Sequence, residues 1–263
     1  MHIPTTMPKQ DMKIRAGVEA AGLSDIGCQR ENNEDSFAYW ESENDAVFDV
    51  KGRLAVVADG MGGYEGGQEA SHLAVETVLE VYGNSTDASP DGLLVEALRT
   101  AHERIRERAT ANPSLYGMGT TCTAAAIVAG RLYFAHVGDS RLYLLRSGNV
   151  QQLTRDHSYV GRLVESGLIS RSEAEIHPQR HILTAALGTV GELVADSSET
   201  PLVLDKGDIL LLCTDGLWGQ VKDEELSRIP AGQSMSEVCR DLIRLARQRG
   251  GPDNITLQVL RIA

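Results

Sequence analysis

The stretch LAVVADGMGG, residues 54–63, constrains this chain more than any other. A short apolar run rich in β-branched valine delivers one carboxylate, Asp59, to a point where the backbone turns through Gly60, with Gly62 and Gly63 close behind. Apolar runs of this length bounded by glycine predict buried strands. Glycine also lets a main chain approach a ligand that a Cβ would hold off. Taken alone, an Asp-Gly pair at a strand end is ordinary turn chemistry.

Repetition changes that reading. ILLLCTDG (209–216) is a second apolar run ending in Asp-Gly, at Asp215, and LYFAHVGD (132–139) is a third, ending at Asp139. Asp253 stands in GGPDN, directly before the strand-like ITLQVL (255–260). If these strands lie in neighbouring sheets the four carboxylates converge, and converging carboxylates repel unless cations sit between them. Oxygen ligands with no adjacent histidine or cysteine suit hard divalent ions such as Mg²⁺ or Mn²⁺. The segment SDIGCQRENNEDSF (24–37) is too polar and irregular for a core element. Its Arg30 has the planar fork suited to bidentate phosphate recognition, and its Glu34 and Asp35 are placed to support cations directly or through water.

Lys and Arg total 25 against 37 Asp and Glu, a formal charge of −12. That balance argues against nucleic acid or an anionic membrane as the main partner. With 263 residues and 42% hydrophobic content the chain can bury a proper core, and no linker divides it. Cys28, Cys122, Cys213 and Cys239 form no CxxC pair, and two of them lie inside apolar runs. Reduced structural thiols in a reducing compartment are expected. No stretch approaches the roughly 18 apolar residues of a membrane span, and the N-terminus lacks the apolar core of a signal peptide. The expected location is cytoplasmic, with residues 1–14 a flexible extension ahead of one domain over 15–263.

Further along, 68–82 places Ala70, Leu73, Ala74, Thr77, Val78 and Val81 at helical spacing. The pattern recurs over 91–110, with Leu94, Leu98, Ala101 and Ile105 inward. From Gly117 the period shortens. Residues 119–128 and 131–137 predict a hairpin about Ala129-Gly130, and 141–145 with 150–153 a second about 147–149. Adjacent hairpins mean antiparallel sheet. A polar, partly helical surface flap follows at about 158–180. A β segment around 199–204, the strand at 209–213, a helix over 236–248 and a last strand complete the order. Antiparallel sheets covered by helices on their outer faces suit it better than a βαβ repeat.

The segments SDIGCQRENNEDSF, VVADGMGGYEGGQEAS, GMGTTCTAA, AHVGDSRLYLL, LTRDHS, ILTAALG, LLCTDGLW and GGPDNITLQVL resemble, in order, the PPM/PP2C family of metal-dependent protein Ser/Thr phosphatases in its compact bacterial form. The resemblance covers the chain from about Gly17 to Ile262. It implies an α+β fold, a four-layer α-β-β-α sandwich in which two central antiparallel β-sheets are flanked by a pair of helices on each outer face. It also implies hydrolysis of phosphoserine and phosphothreonine in proteins by a metal-activated water. The cofactor is expected to be Mn²⁺ or Mg²⁺, two core ions and a third, weaker one.

Carried over by position, Asp59 bridges two cations and the Gly60 carbonyl binds one of them. Asp215 and Asp253 hold the other, and Asp139 contributes with Asp215 to the third position. Arg30 grips the substrate phosphate, while Glu34 and Asp35 hold or orient water. The expected partners are phosphorylated proteins and a cognate Ser/Thr kinase, and the expected state is a monomer. Eukaryotic-type members carry histidine directly after the Asp-Gly pair, where Met61 stands here. A water on a cation is then the expected general acid, with His157 as the side-chain alternative and no role for His72 or His136. Two readings from other classes stay open: a sensor or scaffold that keeps the fold without turnover, and a two-metal phosphoesterase for small molecules.

Overall fold

The computed structural model describes residues 15–62, 65–85, 89–198, 200–229 and 232–263. The extension expected at 1–14 lies outside the described residues, as does Glu199 at the head of the expected 199–204 segment.

Two antiparallel sheets form the middle of the molecule. One joins β1 (Val18–Asp25), β7 (Arg141–Arg146), β8 (Asn149–Gln152), β11 (Ile209–Cys213) and β12 (Ile255–Ile262) in the order β1-β12-β11-β7-β8. The other joins β2 (Asp35–Glu41), β3 (Arg53–Met61), β5 (Cys122–Val128), β6 (Arg131–Val137) and β10 (Leu202–Val203) in the order β10-β6-β5-β3-β2. β4 (Gly119–Thr120) pairs with the end of β3, and β9 (Asp196–Ser197) with β6. The two hairpin turns have positive φ at both central residues, 48° and 73° at Ala129-Gly130 and 52° and 78° at Ser147-Gly148. That geometry matches the right-handed twist of the flanking strands.

The uninterrupted apolar runs have a physical cause in the layering. Residues 54–58 of β3 are no more than 1% exposed. Leu54, Val56 and Ala58 face α2 (Gly66–Asn84) and α3 (Pro90–Ala111), while Ala55 and Val57 face Leu142, Leu144, Leu210 and Leu212 of the opposite sheet. The central strands have no wet face, so polar alternation is absent even though the sheets are antiparallel. Each large apolar side chain buried this way contributes about 1.5–3 kcal/mol.

The second outer face is covered differently from the implied pair of helices. Among the described residues it carries one long helix, α8 (Met235–Gln248), with α6 (Asp215–Trp218) and α7 (Asp223–Leu226) as single turns that fill the same core. Helix α8 starts at a reciprocal cap between Ser234 and Glu237 and buries Val238, Leu242 and Ala246. Among the described residues three further short α-helices and a 3-10 turn at Pro113–Leu115 lie elsewhere. α1 (Asp45–Lys51) bridges β2 and β3, and α4 (Tyr159–Glu165) and α5 (Arg171–Glu175) lie within the 158–180 excursion. The base of that excursion is tied by Tyr159 N–H to the Ile182 carbonyl at 2.8 Å and Thr184 N–H to the His157 carbonyl at 2.7 Å. Among the described residues no helix is long and apolar enough to cross a membrane.

Candidate active site

Register brings the sequence-predicted carboxylates to one end of the sandwich. Asp35 opens β2 directly opposite Asp59 on β3. Asp139 stands at the corner between β6 and β7, Asp215 follows β11, and Asp253 precedes β12. The backbone groups of Asp59 are held from behind, its carbonyl also by the Thr120 hydroxyl at 2.8 Å. Its N–H donates to Thr121 Oγ1 at 2.9 Å and its carbonyl accepts from Thr121 N–H at 2.9 Å. Thr121 Oγ1 meets Ser140 Oγ at 2.7 Å, which ties the Asp59 strand to the Asp139 corner. Trp218 Nε1 donates to the Asp139 carbonyl at 2.9 Å and brings α6 against the same corner. Gly216 lies so close to the Asp253 loop that a Cβ would stand 1.9 Å from the Asn254 carbonyl oxygen.

Asn254 fastens the loop that carries Arg30 and Glu34. Its Oδ1 accepts from Glu34 N–H at 2.8 Å, and its Nδ2 donates to the carbonyls of Ile26 and Asn32 at 3.0 and 2.9 Å. Arg30 then reaches across to Asp253, Nη2 to Oδ2 at 2.7 Å.

Burial and one another's charge shift these carboxyl groups. Burial first, then the charges of Asp215 and Asp253, holds Asp35 up at about 7. Burial and the neighbouring Asp253 hold Asp215 up at about 6. Asp59 and Asp139 are driven well above the usual carboxylate range, again by burial first and then by other site aspartates. Glu34 is raised by burial. Asp35 Oδ2 accepts from Thr214 Oγ1 at 2.9 Å, but Asp35 Oδ1 and Asp215 Oδ1 are buried with no hydrogen-bond partner. Unpartnered buried carboxylate oxygens are costly unless a cation or proton meets them. Among the described residues no three His, Cys, Asp or Glu side chains form a ready-made ligand group. Hard cations such as Mg²⁺ take one or two carboxylates and fill the remaining positions with water. The spread arrangement, with its two orphaned oxygens, fits that donor pattern.

The Protein phosphatase 2C family profile matches residues 28–257. The chain belongs to this family. It is 38% identical over 239 residues to the serine/threonine protein phosphatase PstP of Mycobacterium tuberculosis, covering 91% of this chain and 44% of that protein. The chain therefore spans less than half the length of this mycobacterial relative. It is 35% identical over 239 residues to the serine/threonine phosphatase stp of Listeria welshimeri, covering 89% of this chain and 92% of that one. Among solved structures, the catalytic domain of PstP in complex with two manganese ions superposes with a TM-score of 0.78 at 34% identity, covering 94% of this chain and 99% of that one.

Within this phosphatase 2C framework His72, His136 and His157 take structural places. His157 Nδ1 accepts the Gly138 N–H at 3.2 Å, its own N–H donates to the Gly138 carbonyl at 2.7 Å, and its Nε2 lies 3.4 Å from Asp196 Oδ2. Both ring nitrogens have partners, so His157 fastens the Asp139 corner instead of standing ready as a proton donor. His136 is buried, bonded to Thr123 Oγ1 at 2.8 Å, and held down at about 4 by burial first and by His157. His72 pairs with Glu76 on an exposed face of α2. The imidazole that faces the site is His181, with Nδ1 4.0 Å from Asp215 Oδ2. Sequence reading ended the flap at 180 and passed over it. The returning segment HPQRHILT places it one residue beyond that end, the only cue available before the fold is known.

Gly60 is required by close approach. A Cβ there would lie 2.1 Å from the Gly67 carbonyl oxygen and 2.6 Å from that of Glu34, so three segments meet at this atom. Gly60→Ala is expected to cost about 2 kcal/mol by overpacking, a fall of about 4–8 °C in Tm. Thermal melting of the metal-stripped protein tests it, and an unchanged Tm would mean that β3 and α2 can separate without penalty.

Proposed function

We propose that this chain hydrolyses phosphoserine and phosphothreonine in proteins with the help of Mg²⁺ or Mn²⁺. Asp59, the Gly60 carbonyl, Asp215 and Asp253 would hold two core ions, and Asp139 with Asp215 a weaker third. The observation that carries this reading is the convergence of Glu34, Asp35, Asp59, Asp139, Asp215 and Asp253 beside Arg30, with the Asp35 and Asp215 oxygens left unpartnered. The manganese-bound PstP catalytic domain supports the count of two ions. Divalent cations at such a site supply an activated water and offset charge on the phosphoryl oxygens.

The remaining work falls to this chain's own groups. The Arg30 fork takes two phosphoryl oxygens and orients phosphorus for in-line attack. Asp35 and Glu34 accept hydrogen bonds from water and fix its direction of approach. Burial pushes the thiols of Cys122 and Cys239 up to about 12 and raises that of Cys213 too, so none of these three offers a thiolate nucleophile. A covalent enzyme intermediate therefore has no buried cysteine to form on. Phosphorylated proteins are the proposed substrates, a Ser/Thr kinase and its targets among them. The intact carboxylate set beside Arg30 favours turnover over a silent scaffold.

The test is release of phosphate from a phosphothreonine peptide by protein stripped with EDTA and titrated with Mn²⁺ or Mg²⁺. Turnover is expected only with metal. Arg30→Ala is expected to raise KM about tenfold or more with a smaller change in kcat, since hydrogen bonds to a charged group contribute about 1.5–3 kcal/mol. Full activity in EDTA would overturn the metal reading, and an unchanged KM would remove Arg30 from the phosphate site.

A further inference from the structure

Two side chains assigned to different ligands hold each other in this structure. Arg30, the group for phosphate, donates Nη2–H to Asp253 Oδ2 at 2.7 Å, and Asp253 is a group for a cation. Asp253 Oδ1 is already bonded to the Asn254 N–H at 2.8 Å. Oδ2 is thus the oxygen that an incoming cation would contest with Arg30. The surroundings of Arg30 reinforce the point, because Glu34 and Asp215 add their attraction to that of Asp253. A guanidinium among three carboxylates serves as a counter-ion. Its loop is pinned on either side, at Ile26 and Asn32, by the Asn254 amide. The Arg30 side chain itself is 51% exposed, so it can swing without disturbing the loop.

We infer that Arg30 competes with the divalent ion for Asp253, so that cation loading releases the guanidinium to take phosphate and one side chain couples the two binding events. The inference rests on the metal-dependent reading above. It explains why a phosphate ligand should sit beside a metal carboxylate. In the metal-free protein Arg30 quiets the repulsion at Asp253, and once a cation does so the same fork is free for the substrate. By linkage, whatever factor the cation adds to phosphate affinity, phosphate adds to cation affinity.

Calorimetric titration of the EDTA-stripped full chain with Mg²⁺ tests the competition. Arg30→Gln is expected to bind Mg²⁺ about fivefold more tightly than the unmodified protein, the factor equivalent to one exposed ion pair of about 1 kcal/mol. Arg180→Gln removes a charge near His181 without touching the Asp253 bond, and is expected to stay within about twofold of the unmodified protein. Nitrogen-15 spectra of the Arg30 guanidinium should show hindered rotation in metal-free protein, freer rotation with Mg²⁺, and hindrance again when inorganic phosphate is added. Equal Mg²⁺ affinity in Arg30→Gln would overturn the inference, as would equal tightening in Arg180→Gln, which would indicate net charge alone. If the unmodified chain binds no Mg²⁺ at all, the metal reading itself fails and the competition falls with it.

Discussion

Asp59→Asn is expected to lower kcat on a phosphothreonine peptide by about a thousandfold at saturating Mn²⁺, the equivalent of roughly 4 kcal/mol in the barrier. The substitution keeps the shape of the side chain, removes its charge and turns one acceptor oxygen into an amide donor. Its backbone anchors to Thr121 do not involve the carboxylate, so β3 keeps its place. The metal-free variant should be at least as stable as the unmodified protein. Asp59 is held well above the usual carboxylate range by burial and then by Asp35, Asp215, Asp139 and Asp253, and an amide relieves that repulsion. The paired measurement is kcat with metal and Tm in EDTA. A variant that melts early would make Asp59 a structural residue, and one that turns over at the unmodified rate would remove it from the chemistry. A silent scaffold, in contrast, would show no turnover in either protein.

Asp59, Asp139 and Asp215 were legible because each closes an apolar run, and the run is uninterrupted because its strand is covered on both faces. Asp35 was visible only as part of a polar segment. That it faces Asp59 is a matter of register, set by the connection through α1. Helix α1 itself left no signal, since DAVFDVK is too short for an apolar stripe. It is stabilised from outside by the Asn44 cap and by Arg15 and Arg53 stacked on Phe48 at 4.5 and 4.8 Å. The sandwich of two sheets with flanking helices is as expected, and the short turns beside α8 on the second outer face left no signal for a related reason. Trp218 and Leu226 cover it from single turns, and Val221 from the link between them, none with a helical period to read. His181 escapes notice beside His157 for the same reason. Both histidines sit in polar text, and only the tertiary ties to Gly138 and Asp215 separate a fastener from a group that faces the site.

The metal-free protein is expected to lose stability as pH rises from about 5.5 to 8, opposite to what salt-bridged carboxylates would produce. The sign follows from the direction of the site shifts. An acid whose folded value lies above its unfolded one stays protonated in the folded state while the unfolded chain ionises, so its contribution fades as pH climbs toward the folded value. Asp35 at about 7 and Asp215 at about 6, against an ordinary 3.8, place that window between roughly pH 4 and 7, and Asp59 and Asp139, raised by burial and neighbouring carboxylates, act in the same direction. Asp35 alone would account for about 2 kcal/mol between pH 5.5 and 7. With Asp215 added and His136 opposing, the Tm in EDTA should fall by about 5 °C. Carboxylates lowered by partners, such as Asp196 beside Arg155 and Glu225 beside Arg249, act in the other direction only at more acid pH, whereas His136, held down at about 4, gains stability up to about pH 6.5 and offsets part of the loss. Saturating Mg²⁺ should close the gap, because a cation favours the ionised forms that burial disfavours. Melting curves at the two pH values, with EDTA and with Mg²⁺, measure both effects. A metal-free protein at least as stable at pH 8 as at 5.5 would mean that these carboxyl groups are neither as dry nor as close as the fold places them.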